Sequence, residues 1–109
     1  MSKDGIGVYT TNFTNGQRQF EIAYAQGKLN GPMRRWAQNG QLILERNYVN
    51  DLLEGRSKRW HENGVLAEDA FYIDDKREGE YVQYDKKGRV ILRAKFREDE
   101  LVEDPPKQG

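Results

Sequence analysis

Short apolar runs alternate along this chain with turn-forming residues. The runs at residues 42–44 (LIL), 71–73 (FYI) and 90–92 (VIL) have the composition and length of strand cores. Asn-Gly pairs stand at residues 15–16, 39–40 and 63–64. Because Asn-Gly between two strand-like runs is a strong hairpin signal, the pattern predicts a succession of β-hairpins.

The pattern repeats with a period of 24 residues. Glycine recurs at two positions of the period: Gly7, Gly31, Gly55 and Gly79, and then Gly16, Gly40, Gly64 and Gly88. Aromatic residues recur at two more: Trp36, Trp60 and Tyr84, and then Tyr24, Tyr48, Tyr72 and Phe96. A unit of this length accommodates two strands of about six residues and two turns. The repeat predicts an all-β fold, a single meandering antiparallel sheet of about eight strands built from four 24-residue β-hairpin repeats.

The first glycine of each unit sets the boundaries of the repeats. The domain of four repeats covers residues 7–102, divided into 7–30, 31–54, 55–78 and 79–102. Residues 1–6 form an N-terminal lead, and residues 103–109 form an acidic, proline-containing C-terminal tail. Glu103 stands where a fifth repeat would begin with glycine, and two prolines follow it. Since proline cannot donate to a β-ladder, we expect the sheet to end with the fourth repeat.

The first turn of each repeat sets the register of its hairpin. In the fourth repeat this turn reads DKKG at residues 85–88, and Asp at the first position with Gly at the fourth is typical of a type I turn. With its glycine in the left-handed region, such a loop has three residues and a G1 bulge. This geometry predicts that Trp36 lies opposite Leu42, and that the equivalent residues of the other repeats pair likewise.

The predicted register separates two faces of the sheet. One face collects aromatic and aliphatic positions, including Trp36, Leu42, Leu44 and Tyr48, and is expected to form the core. The other face is mixed, and its side chains vary between repeats while the skeleton stays constant. A regular frame with variable outward positions suits a partner-specific surface. The candidate partner-binding residues on this mixed face are Met33, Arg35, Arg59, His61, Phe71 and Tyr81.

Basic residues cluster in the second and third repeats, at Arg34, Arg35, Arg56, Lys58 and Arg59. One interpretation is a site for phosphates or lipid headgroups. The other is cross-strand ion pairing with the acidic residues Glu45, Glu68 and Asp69. The sequence leaves both interpretations open.

Composition and charge narrow the classes of function. The chain has 109 residues, no cysteine, 36% hydrophobic residues and a mean hydropathy of −1.01, which predicts one domain with a thin core and no disulfides. The formal net charge is zero, which argues against a nucleic-acid partner. Residues 1–60 carry nine Lys or Arg and five Asp or Glu, whereas residues 61–109 carry nine and thirteen. Such a gradient can steer a charged partner. No apolar N-terminal stretch reads as a signal peptide, so we expect a cytoplasmic protein.

Candidate chemistry is sparse. His61 is the single histidine, and its neighbours Arg59 and Glu62 offer no nucleophile for it to activate. One histidine without cysteines does not make a structural zinc site, and the acidic turns lack the spacing of a calcium-binding loop. We therefore expect no enzymatic activity, no cofactor and no metal.

The repeat resembles the bacterial variant of the MORN repeat. The resemblance rests on Gly31, Trp36, Asn39-Gly40 and Tyr48, on the same positions one repeat later, and on residues 24–31 (YAQGKLNG). Later repeats depart from this pattern, because Asp51, Asp75 and Asp99 stand in place of Gly27.

Proteins made only of such repeats are similar to the YwqK-type family of bacterial antitoxins, or immunity proteins. This resemblance implies a protein partner, a toxin that the chain neutralises by occlusion. Two alternatives stay open. MORN repeats also imply a scaffold or a membrane-associated module that binds phospholipid. The exposed sheet would equally allow self-association through a sheet edge or through the mixed face.

Overall fold

The computed structural model describes residues 5–102, which contain eleven β-strands and no helix. The strands are β1 (Ile6–Asn12), β2 (Arg18–Ala25), β3 (Lys28–Trp36), β4 (Leu42–Val49), β5 (Leu52–Leu53), β6 (Gly55–Trp60), β7 (Leu66–Ile73), β8 (Lys76–Arg77), β9 (Gly79–Tyr84), β10 (Val90–Arg97) and β11 (Glu100–Leu101). The predicted tail at 103–109 and residues 1–4 of the predicted lead lie outside the described residues. Between residues 5 and 102 no helix is long and apolar enough to cross a membrane.

All eleven strands belong to one antiparallel sheet. Its order is β1-β2-β3-β4-β6-β7-β9-β10-β11, with β5 beside β4 and β8 beside β7. Each long strand therefore lies beside its neighbour in sequence, as in a meander of hairpins. β5, β8 and β11 have two residues each and extend the polar turns. The eight longer strands and their hairpin arrangement confirm the predicted fold class.

The first turn of each repeat has the predicted geometry. The amide of Gly88 donates to the carbonyl of Asp85 at 3.0 Å, and the amide of Asp85 donates to the carbonyl of Arg89 at 2.8 Å, which closes a three-residue loop. Gly88 has a φ of 86°, in the left-handed region that glycine adopts without steric cost. Trp36 lies opposite Leu42, so the predicted pairing is confirmed.

A further bulge in each hairpin changes the predicted faces. Trp36 pairs with Leu42, but the next residue, Arg35, pairs with Leu44, so Ile43 is an extra residue in the ladder. Because residues opposite one another share a face, Trp36 and Leu44 lie on different faces. The prediction that aromatic and aliphatic positions share one face is therefore wrong, and the extra residue is the reason.

The observed register defines two faces. The tryptophan face carries Trp36, Leu42, Glu45, Lys58, Trp60, Leu66 and Phe71. The tyrosine face carries Tyr24, Met33, Arg35, Leu44, Arg46, Tyr48, Ser57, Arg59 and Tyr72. Each face therefore combines positions that the sequence assigned to the core with positions that it assigned to the mixed face.

On the tyrosine face an aromatic residue pairs across the strands with a glycine in every repeat. The cross-strand pairs are Tyr24 with Gly7, Tyr48 with Gly31, Tyr72 with Gly55 and Phe96 with Gly79. At Gly7 an added Cβ would lie 2.6 Å from the hydroxyl oxygen of Tyr24, which leaves no room for a side chain. A Cβ added at Gly55 or Gly79 would meet no atom within 4 Å, so the pairing recurs in every repeat but the close contact of Gly7 does not.

The second turn of each repeat joins neighbouring repeats. Asn50 and Asp51 have φ values of 47° and 73°, as the central residues of a type I′ turn require. The amide of Asp51 donates to the carbonyl of Leu29 at 2.8 Å, and its Oδ1 accepts from the amide of Leu29 at 2.7 Å. The same two hydrogen bonds join Asp75 to Leu53 and Asp99 to Arg77. We call these three pairs the aspartate links.

The sheet is a single layer. Its principal extents are 62 × 31 × 12 Å, and its radius of gyration of 16.8 Å exceeds the value of about 13 Å expected for a compact chain of this length. The buried side chains are few and mostly small: Ile22, Met33, Ala37, Ser57, Ala67, Ala70 and Val82. The core is as thin as the composition predicts.

Candidate functional site

A groove of about 740 Å³ lies at the end of the sheet where the Asn-Gly turns are located. Its lining includes Phe13, Arg35, Leu44, Arg59, His61 and Lys86, which come from all four repeats. Glu62 is the one acidic residue among the described residues that line it. The groove is therefore cationic, although the whole chain has no net charge.

Two arginines on the tyrosine face dominate this groove. β3, β4 and β6 place Arg35 and Arg59 on either side of Leu44, which pairs with both. Since adjacent strands are about 4.8 Å apart, the backbones of the two arginines are separated by about 10 Å. Both side chains are exposed. An apolar strip between two guanidinium groups is thus presented to the solvent.

Neither arginine is committed to a strong ion pair. Within residues 5–102, Arg35 makes no ion pair and no side-chain hydrogen bond. Arg59 Nη2 lies 3.8 Å from Glu68 Oε2, which is too far for a hydrogen bond. Both groups can therefore bind an external carboxylate without first losing a strong internal contact.

The neighbouring basic residues behave differently. Arg34 on the tryptophan face donates to Glu45 at 2.7 Å and to Glu21 at 3.0 Å, and the hydrogen bond to Glu45 is the main cause that raises its pKa. Arg56 donates to Asp69 at 3.1 Å. Of the two interpretations of the basic cluster, ion pairing therefore holds for Arg34 and Arg56. Arg35 remains available for a ligand.

His61 connects the third repeat to the fourth. Its Nε2 atom lies 2.9 Å from the carbonyl oxygen of Tyr84, so Nε2 carries a proton and donates it to that oxygen. This bond fixes the ring at the edge of the groove and leaves Nδ1 for other contacts. His61 thus has a positioning role within the sheet, beside the two arginines.

A polar cluster lies next to the groove on the tyrosine face. The hydroxyl of Tyr81 donates to Glu68 Oε2 at 2.5 Å, and Gln83 Nε2 lies 3.2 Å from the same carboxylate oxygen. Burial raises the pKa of Tyr81, and its hydrogen bond to Glu68 raises it further. The ring of Tyr81 also packs edge-on against Phe96, with 5.7 Å between the centroids. Tyr81 is therefore held by internal contacts.

The structure brings together three of the six candidate partner-binding residues, namely Arg35, Arg59 and His61. Met33 shares their face but is only 7% exposed, so it belongs to the core. Tyr81 also shares their face but lies in the polar cluster. Phe71 lies on the opposite face, where it lines a smaller cavity of about 350 Å³. The six do not form one surface, because the bulge at Ile43 and its equivalents moved Phe71 and Arg59 to opposite sides of the sheet.

Eleven of the fourteen described residues that line the groove were not among the candidates, and Leu44 and Lys86 are two of them. Leu44 was assigned to the core face, and only the bulge places it between the arginines. Lys86 occupies the second position of its turn, and the equivalent residues Gln38 and Glu62 also line the groove. The 24-residue period alone would have indicated that these turn residues lie in a row.

The described residues contain no arrangement of His, Asp and Glu that suits a metal ion. Between residues 5 and 102 there is no group of three or more such side chains close enough to share one. The acidic turn residues Asp51, Asp75 and Asp99 are engaged instead in the aspartate links.

Comparison with known proteins agrees with the repeat architecture. Residues 29–50 and 53–74 match the sequence model of the MORN repeat variant. No curated protein and no solved structure matched the chain. The two matched segments span the strands and turns that carry Arg35, Leu44 and Arg59. The central part of the chain is therefore similar to the MORN repeat variant, which indicates a repeat-based binding module.

Proposed function

We propose that this protein is a non-enzymatic, cytoplasmic antitoxin that neutralises a bacterial toxin by covering its surface. The observation that supports this most directly is the pair of exposed arginines in a groove on a repeat scaffold, Arg35 without an ion pair within residues 5–102 and Arg59 with only a 3.8 Å contact to Glu68. The resemblance of the repeats to the YwqK-type family supports the choice of a toxin as the partner.

The groove has the chemistry to anchor an acidic segment of a protein. A guanidinium group binds a carboxylate through two parallel hydrogen bonds, and Arg is enriched among the residues that dominate binding energy at interfaces. Leu44 between the two arginines provides apolar contact for the stem of an acidic side chain. The excess of basic residues in residues 1–60 would also accelerate encounter with an acidic partner at low salt.

Co-expression with toxic proteins encoded by neighbouring genes tests this function. We expect one of them to stop growth when expressed alone and to be tolerated when this protein is present. Arg35→Glu combined with Arg59→Glu should weaken binding of that toxin at least about tenfold and abolish protection. Because both side chains are exposed, the melting temperature should change by no more than a few degrees.

The matched control is Lys28→Glu combined with Lys76→Glu. These residues are exposed, lie opposite Ala25 and Ile73 on the tryptophan face, and change the net charge by the same amount. We expect this variant to protect like the original protein. Equal loss of protection in both variants would mean that net charge, and not the groove, governs binding.

The same two arginines favour a second candidate function, attachment to anionic phospholipid. Exposed guanidinium groups without a strong internal ion pair suit lipid phosphates as well as carboxylates. Sedimentation with phosphatidylserine vesicles at physiological salt separates the two functions. Strong vesicle binding that Arg35→Glu and Arg59→Glu abolish, together with no protection from any neighbouring toxin, would favour the membrane module.

A further inference from the structure

At residues 8–12 the first strand of the sheet has an open edge that differs from the edge at the other end. Among the strands of residues 5–102, only β2 pairs with β1. The sequence of β1 is IGVYTTN, which contains no charged residue and no proline. Val8 is 58% exposed and Tyr9 is 56% exposed. A long uncharged edge of this kind is a template for pairing with another strand.

The hydrogen-bond alternation of the hairpin identifies which groups face outward. The amide of Phe13 donates to the carbonyl of Gln17 across the turn, and the amide of Gln26 donates to the carbonyl of Gly5 at the other end of the pair. Gly5 and Phe13 are thus both bonded across the hairpin. Because bonded residues alternate along an antiparallel ladder, residues 7, 9 and 11 of β1 also bond to β2. The N–H and C=O groups of Val8, Thr10 and Asn12 are therefore directed away from β2.

The opposite edge is protected by charge. The last long strand, β10, carries Arg93, Lys95 and Arg97 among its eight residues. Basic side chains along an edge strand disfavour the addition of another chain. Of the two end strands in the described part of the chain, β1 is therefore the one that combines an outward row of backbone donors and acceptors with an uncharged surface.

The repeat itself shows how a strand is received at this position. β3 is the equivalent of β1 one repeat later, and it accepts β2 on its outward side in an antiparallel arrangement. In that arrangement Ile22 lies opposite Met33, and Glu21 lies opposite Arg34. Met33 and Arg34 correspond by the 24-residue period to Tyr9 and Thr10. An incoming strand would thus place an apolar residue opposite Tyr9.

We propose that the open edge of β1 is a docking site for an extended strand of the protein partner, which adds to the sheet antiparallel to β1. This inference rests on the proposed function, which supplies the partner. It adds which edge of the sheet, and which backbone groups on that edge, receive the partner's strand. The partner strand is expected to be acidic, because residues 1–60 carry nine basic and five acidic residues. The same imbalance disfavours a second copy of this chain, since pairing β1 with β1 would bring two basic halves together.

Val8→Pro is the diagnostic variant. Proline at this position removes one outward N–H and leaves the bonds to β2 in place. In β3 the equivalent residue is Pro32, which keeps its place opposite Asn47, while the ladder to β2 on the outward side is interrupted between Met33 and Leu29. Val8→Ala is the matched control, since it removes the same side chain and keeps the N–H.

The probe is a fluorescent peptide with the sequence of residues 18–25 and the substitution Arg18→Glu, which has the strand pattern that β3 accepts and an acidic charge. We expect saturable binding to the original protein and to Val8→Ala, and at least about tenfold weaker binding to Val8→Pro. Equal binding to Val8→Pro, or no binding to the original protein at about 1 mM peptide, would overturn the proposal. A dimer seen by light scattering that Val8→Pro dissociates would also overturn it, in favour of self-association.

The outcomes separate this inference from the proposed function. If Val8→Pro protects against the toxin as well as the original protein does, while the Arg35 and Arg59 variant fails, the edge proposal is wrong and the antitoxin function stands. If no neighbouring toxin is neutralised but the peptide binds in a way that Val8→Pro abolishes, the edge is a docking site and the antitoxin function is wrong.

Discussion

Aspartate in the second turn of the later repeats has two roles that glycine cannot combine. Asp51, Asp75 and Asp99 adopt positive φ values between 70° and 73°, which cost little for Asp and less for Gly. Their carboxylate oxygens accept a backbone amide from the preceding repeat. In the sequence these positions stand out only as acidic turn residues in place of Gly27. The contact partner lies 22 residues away, and no local pattern identifies it.

Asp75→Gly isolates the contribution of this side chain. Glycine tolerates the φ of 71°, so the change removes the hydrogen bond from the Leu53 amide to Asp75 Oδ1 without adding strain. We expect the free energy of unfolding to fall by about 0.5–1.5 kcal/mol, measured by urea denaturation. Asp75→Asn is the control, because its amide oxygen still accepts the bond. A Gly variant as stable as the original protein would show that the link is not stabilising.

The lowered pKa of Asp99 predicts how the stability of the fold changes with pH. Its hydrogen bond with the Arg77 side chain, at 2.5 Å, is the main cause that lowers its pKa below the ordinary value. A carboxylate with a lower pKa in the folded state contributes stability above its unfolded pKa of about 3.9, and this contribution is lost as the pH falls through the folded value.

The melting temperature should therefore fall as the pH drops below about 4. In the Asp99→Asn variant the melting temperature should be lower at pH 7, and it should depend less on pH below about pH 4. Identical pH profiles for the two proteins would contradict the role of Asp99, because other carboxylates would then account for the whole decline.

At the scale of strands and turns, the sequence predicted most of the hairpin. Glycine and asparagine mark the turns because positive φ values restrict the residue type, and the DKKG turn predicted the loop and the pairing of Trp36 with Leu42. The extra residue Ile43 could not be predicted. The equivalent residues are Gln19, Ala67 and Ile91, polar in one repeat and apolar in two, and none is a glycine that would mark a bulge. That one residue decided which face holds Leu44, and so it decided the composition of the groove.

Two single-residue deletions in β4 test this bulge. Without Ile43, the pairs of Trp36 with Leu42 and Arg35 with Leu44 become consecutive in a regular ladder, so we expect a folded protein with a melting temperature lowered by several degrees. Without Glu45, every later residue of β4 shifts by one position, and Tyr48 leaves its place opposite Gly31. We expect that protein to be unfolded by circular dichroism. Similar stability of the two variants would contradict the bulge assignment.

At the scale of the whole molecule, a single sheet 12 Å thick has no interior shared by all its strands. Each repeat contacts its neighbours in the chain, so stability is the sum of repeat and junction terms. The end repeats have one neighbour each, whereas the middle repeats have two. The predicted thin core follows from composition, but the openness of the sheet follows from topology.

Hydrogen exchange should show that the end repeats are less protected than the middle repeats. We expect the amides of β4, β6 and β7 to exchange most slowly, and those of β1 and β10 to exchange fastest, because the end strands open without disturbing a second junction. Mass spectrometry of peptic fragments at several exchange times measures it. Uniform protection across all four repeats would indicate instead that the sheet opens as one cooperative unit.

The order of the strands also determines how the molecule responds to force. The described chain enters at one margin of the sheet, in β1, and leaves at the other, in β11. Tension applied between Gly5 and Val102 therefore pulls across the strands. It loads the hydrogen bonds between neighbouring strands one after another rather than all at once. Each aspartate link has to break separately as neighbouring repeats come apart. An unfolded repeat of 24 residues would add about 80 Å of extended chain. The protein would therefore lengthen in steps under load.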